Sequence, residues 1–161
     1  MLTRRHVLAL LIALGLIATA PSSEPVQAQS APQYEILATR NVMVPARDGV
    51  KLGTDIFRPA KSGLAVDGTF PTILERTPYN KERAAALADY FVPRGYVVVM
   101  QDVRGRYASE GHWRPIADDV NDGVDTAAWI IKQPWSDGGI GTVGTSYDGA
   151  TQHALAIGGA P

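Results

Sequence analysis

Short apolar runs and helix-period stretches alternate along this chain, and their order predicts its fold. Residues 34–44 are rich in β-branched and apolar side chains and predict a strand. Pro45-Ala46-Arg47-Asp48-Gly49 follows, with Asp-Gly as its strongest turn signal. Val50, Leu52, Thr54 and Ile56 then share one face of residues 50–57, so the two runs predict an antiparallel hairpin at a sheet edge. Residues 61–69 read as a polar, glycine-containing loop. Residues 70–75 form a short apolar run that predicts a buried strand, with Pro71 confined to its start because proline cannot donate to a ladder. A loop over residues 76–81 leads to a helix from Glu82, where Ala84, Leu87, Ala88 and Phe91 recur at helical spacing until Pro93 and Gly95 stop it.

Tyr96-Val97-Val98-Val99-Met100 is apolar without alternation, the pattern of a parallel strand covered on both faces. After a long polar loop, residues 118–132 predict the most regular helix. Val120, Val124, Ala127, Ala128 and Ile131 form its apolar stripe, and acids crowd its first turn, where the helix dipole favours them. Pro134 ends it. A strand around Ile140 and a helix from Tyr147 to about Ile157 complete the pattern. The order β-β-β-α-β-α-β-α predicts an α/β fold: an open, mostly parallel, three-layer sheet that begins with an antiparallel hairpin.

Composition narrows the function. The chain's 161 residues include 15 Lys and Arg and 16 Asp and Glu, a net charge of -1, which gives no reason to expect nucleic acid or an anionic membrane surface as partner. The absence of cysteine excludes disulfides, thiolate metal sites and a cysteine nucleophile. The first 28 residues stand apart from the fold. Arg4-Arg5 is a basic start, residues 7–20 are apolar but shorter than the ~20 residues of a membrane span, and Val26-Gln27-Ala28 suits a signal peptidase. Thr3-Arg4-Arg5-His6-Val7-Leu8 is also similar to a twin-arginine export signal. The expectation is a signal peptide over residues 1–28, cleavage after Ala28, and an exported product, periplasmic or secreted, with no stable membrane anchor. Residues 29–161 then hold the folded part.

The chemistry centres on Gly144-Thr145-Ser146-Tyr147-Asp148-Gly149. A strand, a sharp turn and a helix start place Ser146 at a corner, in the manner of a nucleophile elbow, and Gly144 and Gly149 are expected to relieve crowding there. The general pattern G-x-S-x-G would put glycine at Asp148; here it comes one residue later. The competing reading of Ser146 is a helix-capping serine. The backbone N–H of Tyr147 can face the oxyanion formed when Ser146 attacks a carbonyl. Tyr79 lies in the loop after the third strand, where its hydroxyl could be a second oxyanion donor or its ring could simply stack on Pro78. No complete triad can be drawn. His6 falls in the signal, His112 precedes the serine, and His153 lies ~10 Å up the helix from Ser146 at 1.5 Å per residue. The acid-rich run from Asp118 to Asp125 fails the calcium-loop register, because Val120 and Trp129 stand where oxygen ligands are needed. Its acids read as a polar helix face, and Trp113, Trp129 and Trp135 as packing residues.

Several stretches together carry a resemblance. They are Arg47-Asp48-Gly49-Val50 with Thr54-Asp55-Ile56-Phe57-Arg58-Pro59; Arg76-Thr77-Pro78-Tyr79-Asn80-Lys81; Gln101-Asp102-Val103-Arg104-Gly105-Arg106-Tyr107-Ala108-Ser109-Glu110-Gly111; and Trp135-Ser136-Asp137-Gly138 leading into the Ser146 turn. In this order they resemble the N-terminal part of the family of X-Pro dipeptidyl-peptidases, cocaine esterase and α-amino-acid ester hydrolases, serine hydrolases of α/β-hydrolase fold. That family's elbow is G-x-S-Y-x-G, which accounts for Gly149. The resemblance implies Ser146 as nucleophile and an oxyanion hole from the Tyr79 hydroxyl and the Tyr147 N–H. It implies no metal and no organic cofactor. It also implies that residues 29–161 are the N-terminal portion of a catalytic domain, incomplete here, with the triad Asp and His beyond Pro161.

The expected function is hydrolysis of a small-molecule ester or amide, or of a short peptide, through a Ser146 acyl-enzyme. An X-Pro dipeptidyl-peptidase is the alternative within enzymes, and an inactive truncated remnant or interaction module the alternative outside them. A sheet ending on its newest strand would expose unpaired N–H and C=O groups, so the isolated chain is expected to aggregate or to be partly disordered.

Overall fold

The computed structural model describes residues 31–159, so the expected signal peptide lies outside the described residues. The predicted strands and helices occur in the predicted order. They are β1 (Glu35–Pro45), β2 (Lys51–Lys61), β3 (Leu64–Ala65), β4 (Phe70–Thr77), α1 (Ala85–Phe91), β5 (Val97–Asp102), α2 (Asp119–Ile130), β6 (Ser136–Thr142) and α3 (Tyr147–Ile157). Two local features differ from expectation. The loop over residues 61–69 contains β3, which pairs antiparallel with the end of β2. The helix expected from Glu82 starts as a 3-10 turn, Lys81–Ala84, before α1.

The sheet runs β1-β2-β5-β4-β6. β1, β2 and β5 are antiparallel neighbours, and β5, β4 and β6 are parallel ones. The hairpin therefore extends the parallel part of the sheet through β2 rather than sitting apart from it. β2 is buried on both faces, because Leu52, Thr54 and Ile56 point one way and Gly53, Asp55 and Phe57 the other, and all are covered. β5 is buried along its whole length. Its alternate residues feed two cores. Val97 and Val99 join Ile56, Leu74, Ala127, Ile130, Trp135 and Leu155 under α2 and α3. Val98 and Met100 join Phe57, Ala88 and Val92 under α1. Burying each such side chain stabilises the fold by roughly 1.5–3 kcal/mol, which is why the uniformly apolar run takes the central position.

The buried face of α2 differs from the expected stripe. It consists of Asp119, Asp122, Gly123, Thr126, Ala127 and Ile130. Of the expected stripe, Ala127 is buried and Val124 packs against the core, and Val120 and Val124 also border the end of α3, where a Cβ added at Gly158 would meet Val124 Cγ2 at 2.5 Å and Val120 Cγ1 at 3.1 Å. The acids turn inward because Arg76 on β4 is itself buried, 2% exposed, and meets them. Its Nη1 donates to the Asp119 main-chain oxygen at 3.0 Å and lies 3.4 Å from Asp119 Oδ1. Arg104 completes the pairing with two hydrogen bonds to Asp122, at 2.6 and 3.0 Å. A buried charge without such partners would be prohibitive. Trp135 lies in the core with Trp129 edge-on to it, while Trp113 is 41% exposed on the loop before α2 and carries the Arg106 guanidinium over its ring.

This topology locates a cleft. The connection from β4 through α1 reaches β5 on one side, and the connection from β5 through α2 crosses back to β6 on the other. The strand order thus reverses around β4, and in open α/β sheets the crevice beyond the carboxyl ends of such strands is where ligands bind. Ser146 follows β6 and Tyr79 follows β4.

Candidate active site

Ser146 occupies the corner between β6 and α3 with φ 58 and ψ -123. That conformation costs on the order of 1–3 kcal/mol for a side chain and persists only where the surroundings impose it. Although Ser146 is the N-cap residue of α3, its side chain makes no capping hydrogen bond and is exposed. The helix-capping reading is therefore not what the structure shows. Close packing of the turn imposes the geometry. A Cβ at Gly144, whose φ is 146, would fall 2.5 Å from Asp148 Cβ and 3.0 Å from its carbonyl carbon. Gln152 Nε2 donates to Gly144 O at 3.0 Å, and the Asp148 N–H donates to Thr145 O at 3.1 Å. Gly149 differs from expectation. A Cβ there would make only an ordinary 3.6 Å contact with Gly144 O, because the tight approach is between positions 144 and 148.

Tyr147 is the first residue of α3, where helix geometry leaves N–H groups without intrahelical partners. Its ring extends toward the start of α2. There the hydroxyl donates to Asp119 Oδ2 at 2.8 Å and accepts from the Ile116 N–H at 2.7 Å. Burial is the first cause that pushes the phenol above its ordinary pKa, so it stays a neutral donor.

Tyr79 is held on a loop fastened at both sides. Its N–H donates to Thr77 Oγ1 at 3.0 Å, and Arg106 Nε donates to Pro78 O at 3.1 Å. Beyond it, Asn80 takes φ 83 and its Oδ1 accepts from the Glu82 N–H. Lys81 then dives into the interior. Its N–H donates to Asp102 Oδ1 at 2.8 Å, and its Nζ lies 3.4 Å from Asp102 Oδ2 and 3.6 Å from Asp55 Oδ1. Pro78 is buried, whereas Tyr79 is 44% exposed and lines the cleft with Ser146.

That cleft holds about 460 Å³ and is also lined by Glu75, Thr77, Arg83 and Asp148. Its size suits a small-molecule site. Two carboxyl groups meet in it. Burial, then the neighbouring Asp148 charge, push Glu75 up to about 7. Burial also pushes Asp148 up, against the hydrogen bonds from Thr77 and Glu75. Burial and the nearby second carboxyl thus favour the protonated form of Glu75. Glu75 was legible only as the polar end of a buried run; an acid at the carboxyl end of a strand beside the switch point is the signal that marks it.

His112 and His153 are both exposed, and neither lines the cleft. Among the described residues no group of three or more His, Cys, Asp or Glu could hold a metal ion, and no helix is long and apolar enough to cross a membrane.

The arrangement has relatives. The sequence profile of the X-Pro dipeptidyl-peptidase family (S15 family) matches residues 48–161. Cocaine esterase of Rhodococcus sp. (strain MB1 Bresler) is 46% identical over 125 residues, which are 74% of this chain and 21% of that protein. Among solved structures, an α-amino acid ester hydrolase is 32% identical with a TM-score of 0.63, over 83% of this chain and 25% of its own. A CocE/NonD family hydrolase from Staphylococcus aureus is 32% identical with a TM-score of 0.67, over 76% of this chain and 25% of its own. The chain thus spans about a fifth to a quarter of the length of these relatives. With its mixed open sheet, its turn at Ser146 and this match over most of its length, the chain belongs to the X-Pro dipeptidyl-peptidase (S15) family of hydrolases.

Proposed function

We propose that this chain is the N-terminal segment of an exported serine hydrolase that cleaves an ester or amide bond through an acyl-enzyme on Ser146. The observation that carries the reading is the strained, uncapped Ser146 in one cleft with Tyr79. In this mechanism Ser146 Oγ attacks the substrate carbonyl carbon as its proton passes to a histidine base contributed from beyond Pro161. The carbonyl oxygen becomes an oxyanion and accepts hydrogen bonds from the Tyr79 hydroxyl and the Tyr147 N–H. Collapse expels the alcohol or amine, which takes up the proton from the base, and water then cleaves the Ser146 ester. No metal or organic cofactor enters this scheme.

The test is hydrolysis of a p-nitrophenyl ester by the full-length hydrolase, with Ser146→Ala beside it. Turnover that disappears in the variant supports the reading, and turnover that survives overturns it. The 161-residue chain is assayed in parallel. Activity there, lost in Ser146→Ala, would place a working base among these residues. The family's X-Pro dipeptidyl-peptidase description favours a second reading, in which the substrate is an X-Pro peptide. Comparing an X-Pro p-nitroanilide with the ester distinguishes the two. Export through the twin-arginine-like segment predicts a mature protein that begins at Gln29, which N-terminal sequencing reads directly.

A further inference from the structure

The Tyr147 side chain is connected to more of the molecule than its place beside Ser146 requires. Its hydroxyl oxygen is fixed from two directions, by Asp119 Oδ2 at 2.8 Å and by the Ile116 N–H at 2.7 Å. Ile116 takes φ 67, an outlier for a β-branched residue, so the chain accepts strain where it aims that N–H. Asp119 is 5% exposed and is held in turn by Arg76. Arg76 Nε donates to Gln101 Oε1 at 2.8 Å, and Gln101 Nε2 donates to Thr54 Oγ1 at 3.0 Å. The relay thus runs from the elbow across three strands into the middle of the sheet. It also returns to α3, because Thr151 Oγ1 donates to Arg76 O at 3.1 Å.

Such a chain of buried polar groups is costly where a member lacks a hydrogen-bond partner, as Arg76 Nη2 does, but the hydrogen bonds it makes rigidify what they touch. What it touches here is the first residue of α3, whose own N–H is one that helix geometry leaves without an intrahelical partner. A phenol anchored at its far end restricts rotation of the residue's backbone at its near end. We infer that Tyr147 and Asp119, backed by Arg76, are positioning residues that aim the Tyr147 N–H at the reacting oxygen. This rests on the serine-hydrolase reading above, and it gives the tyrosine side chain a role separate from that of its backbone.

The test uses the full-length hydrolase and two readouts: kinetics on a p-nitrophenyl ester, and inhibition by phenylboronic acid, whose serine adduct presents a tetrahedral oxyanion-like oxygen. Removing one oxyanion donor outright costs about 100- to 1000-fold in kcat, and loosening it should cost less. Tyr147→Phe is expected to lower kcat about tenfold with KM little changed, and to weaken the boronic acid by a similar factor. Asp119→Ala should match it, Asp119→Asn should recover part of the loss by keeping an oxygen acceptor, and the double variant Tyr147→Phe with Asp119→Ala should be no worse than either alone. Unchanged kcat and boronic acid affinity in Tyr147→Phe overturn the inference, as does a lowered melting temperature without a shift in boronic acid affinity. If Tyr147→Phe does not fold, Asp119→Asn against Asp119→Ala carries the same comparison. Full activity in Ser146→Ala would instead refute the underlying hydrolase reading.

Discussion

Gly144 lies directly beneath Asp148: a methyl group at residue 144 would sit 2.5 Å from Asp148 Cβ. The backbone therefore doubles back at Ser146 only because residue 144 has no side chain. Gly144→Ala should destabilise the fold by about 1–3 kcal/mol through overpacking. It should also cost on the order of 100-fold in ester hydrolysis, as expected when a reacting group is displaced by about 1 Å. Gly149→Ala is the control. Its added Cβ meets only Gly144 O at 3.6 Å, so its activity should stay within about tenfold of the parent. Parallel kinetics on the two variants check the contrast.

The Glu75–Asp148 pair makes stability depend on pH in a defined direction. Glu75 keeps its proton to about 7 in the fold, whereas an exposed glutamate releases it near 4.5. Between those values the folded state holds more protons than the unfolded state, so this pair's contribution to stability is present at low pH and is lost as pH rises toward and through 7. Glu75→Gln removes that titration. Urea midpoints measured from pH 5 to pH 8 should fall less steeply in Glu75→Gln than in the parent, and an identical slope would contradict the pairing.

Lys81 is 2% exposed and lies between Asp55 and Asp102. Lys81→Met leaves both carboxylates buried, although Asp55 keeps the Arg40 guanidinium and Asp102 keeps the N–H groups of Lys81 and Ala108. The expected loss is about 3 kcal/mol, the lower end for a broken buried ion pair. Because the same side chain fastens the loop that carries Tyr79, kcat should fall as well. Denaturation and kinetics on one preparation read both effects.

The features legible in the sequence were those set by neighbours along the chain. The unbroken apolar run from Tyr96 to Met100 marked β5, and the strand–turn–helix pattern around Ser146 marked the corner. The inward turn of Asp119 and Asp122 on α2 is not legible, because they look like solvated acids until Arg76, far away in sequence, is placed beneath them. Lys81 was hidden for the same reason: its burial depends on Asp55 and Asp102, which reach it from β2 and β5. Glu75 and Asp148 become partners only when β4 and α3 are brought together. Periodicity reports which residues share an element's face. It does not report which charges that face will meet.

The central claim is that Ser146 forms a covalent acyl-enzyme. The most direct measurement is peptide mapping by mass spectrometry after the full-length hydrolase is treated with phenylmethylsulfonyl fluoride, a serine-directed sulfonylating reagent. The account predicts a single stoichiometric adduct on Ser146, with loss of ester hydrolysis in proportion to labelling. Complete inactivation with the adduct on another residue, or full Ser146 labelling with activity intact, would contradict it.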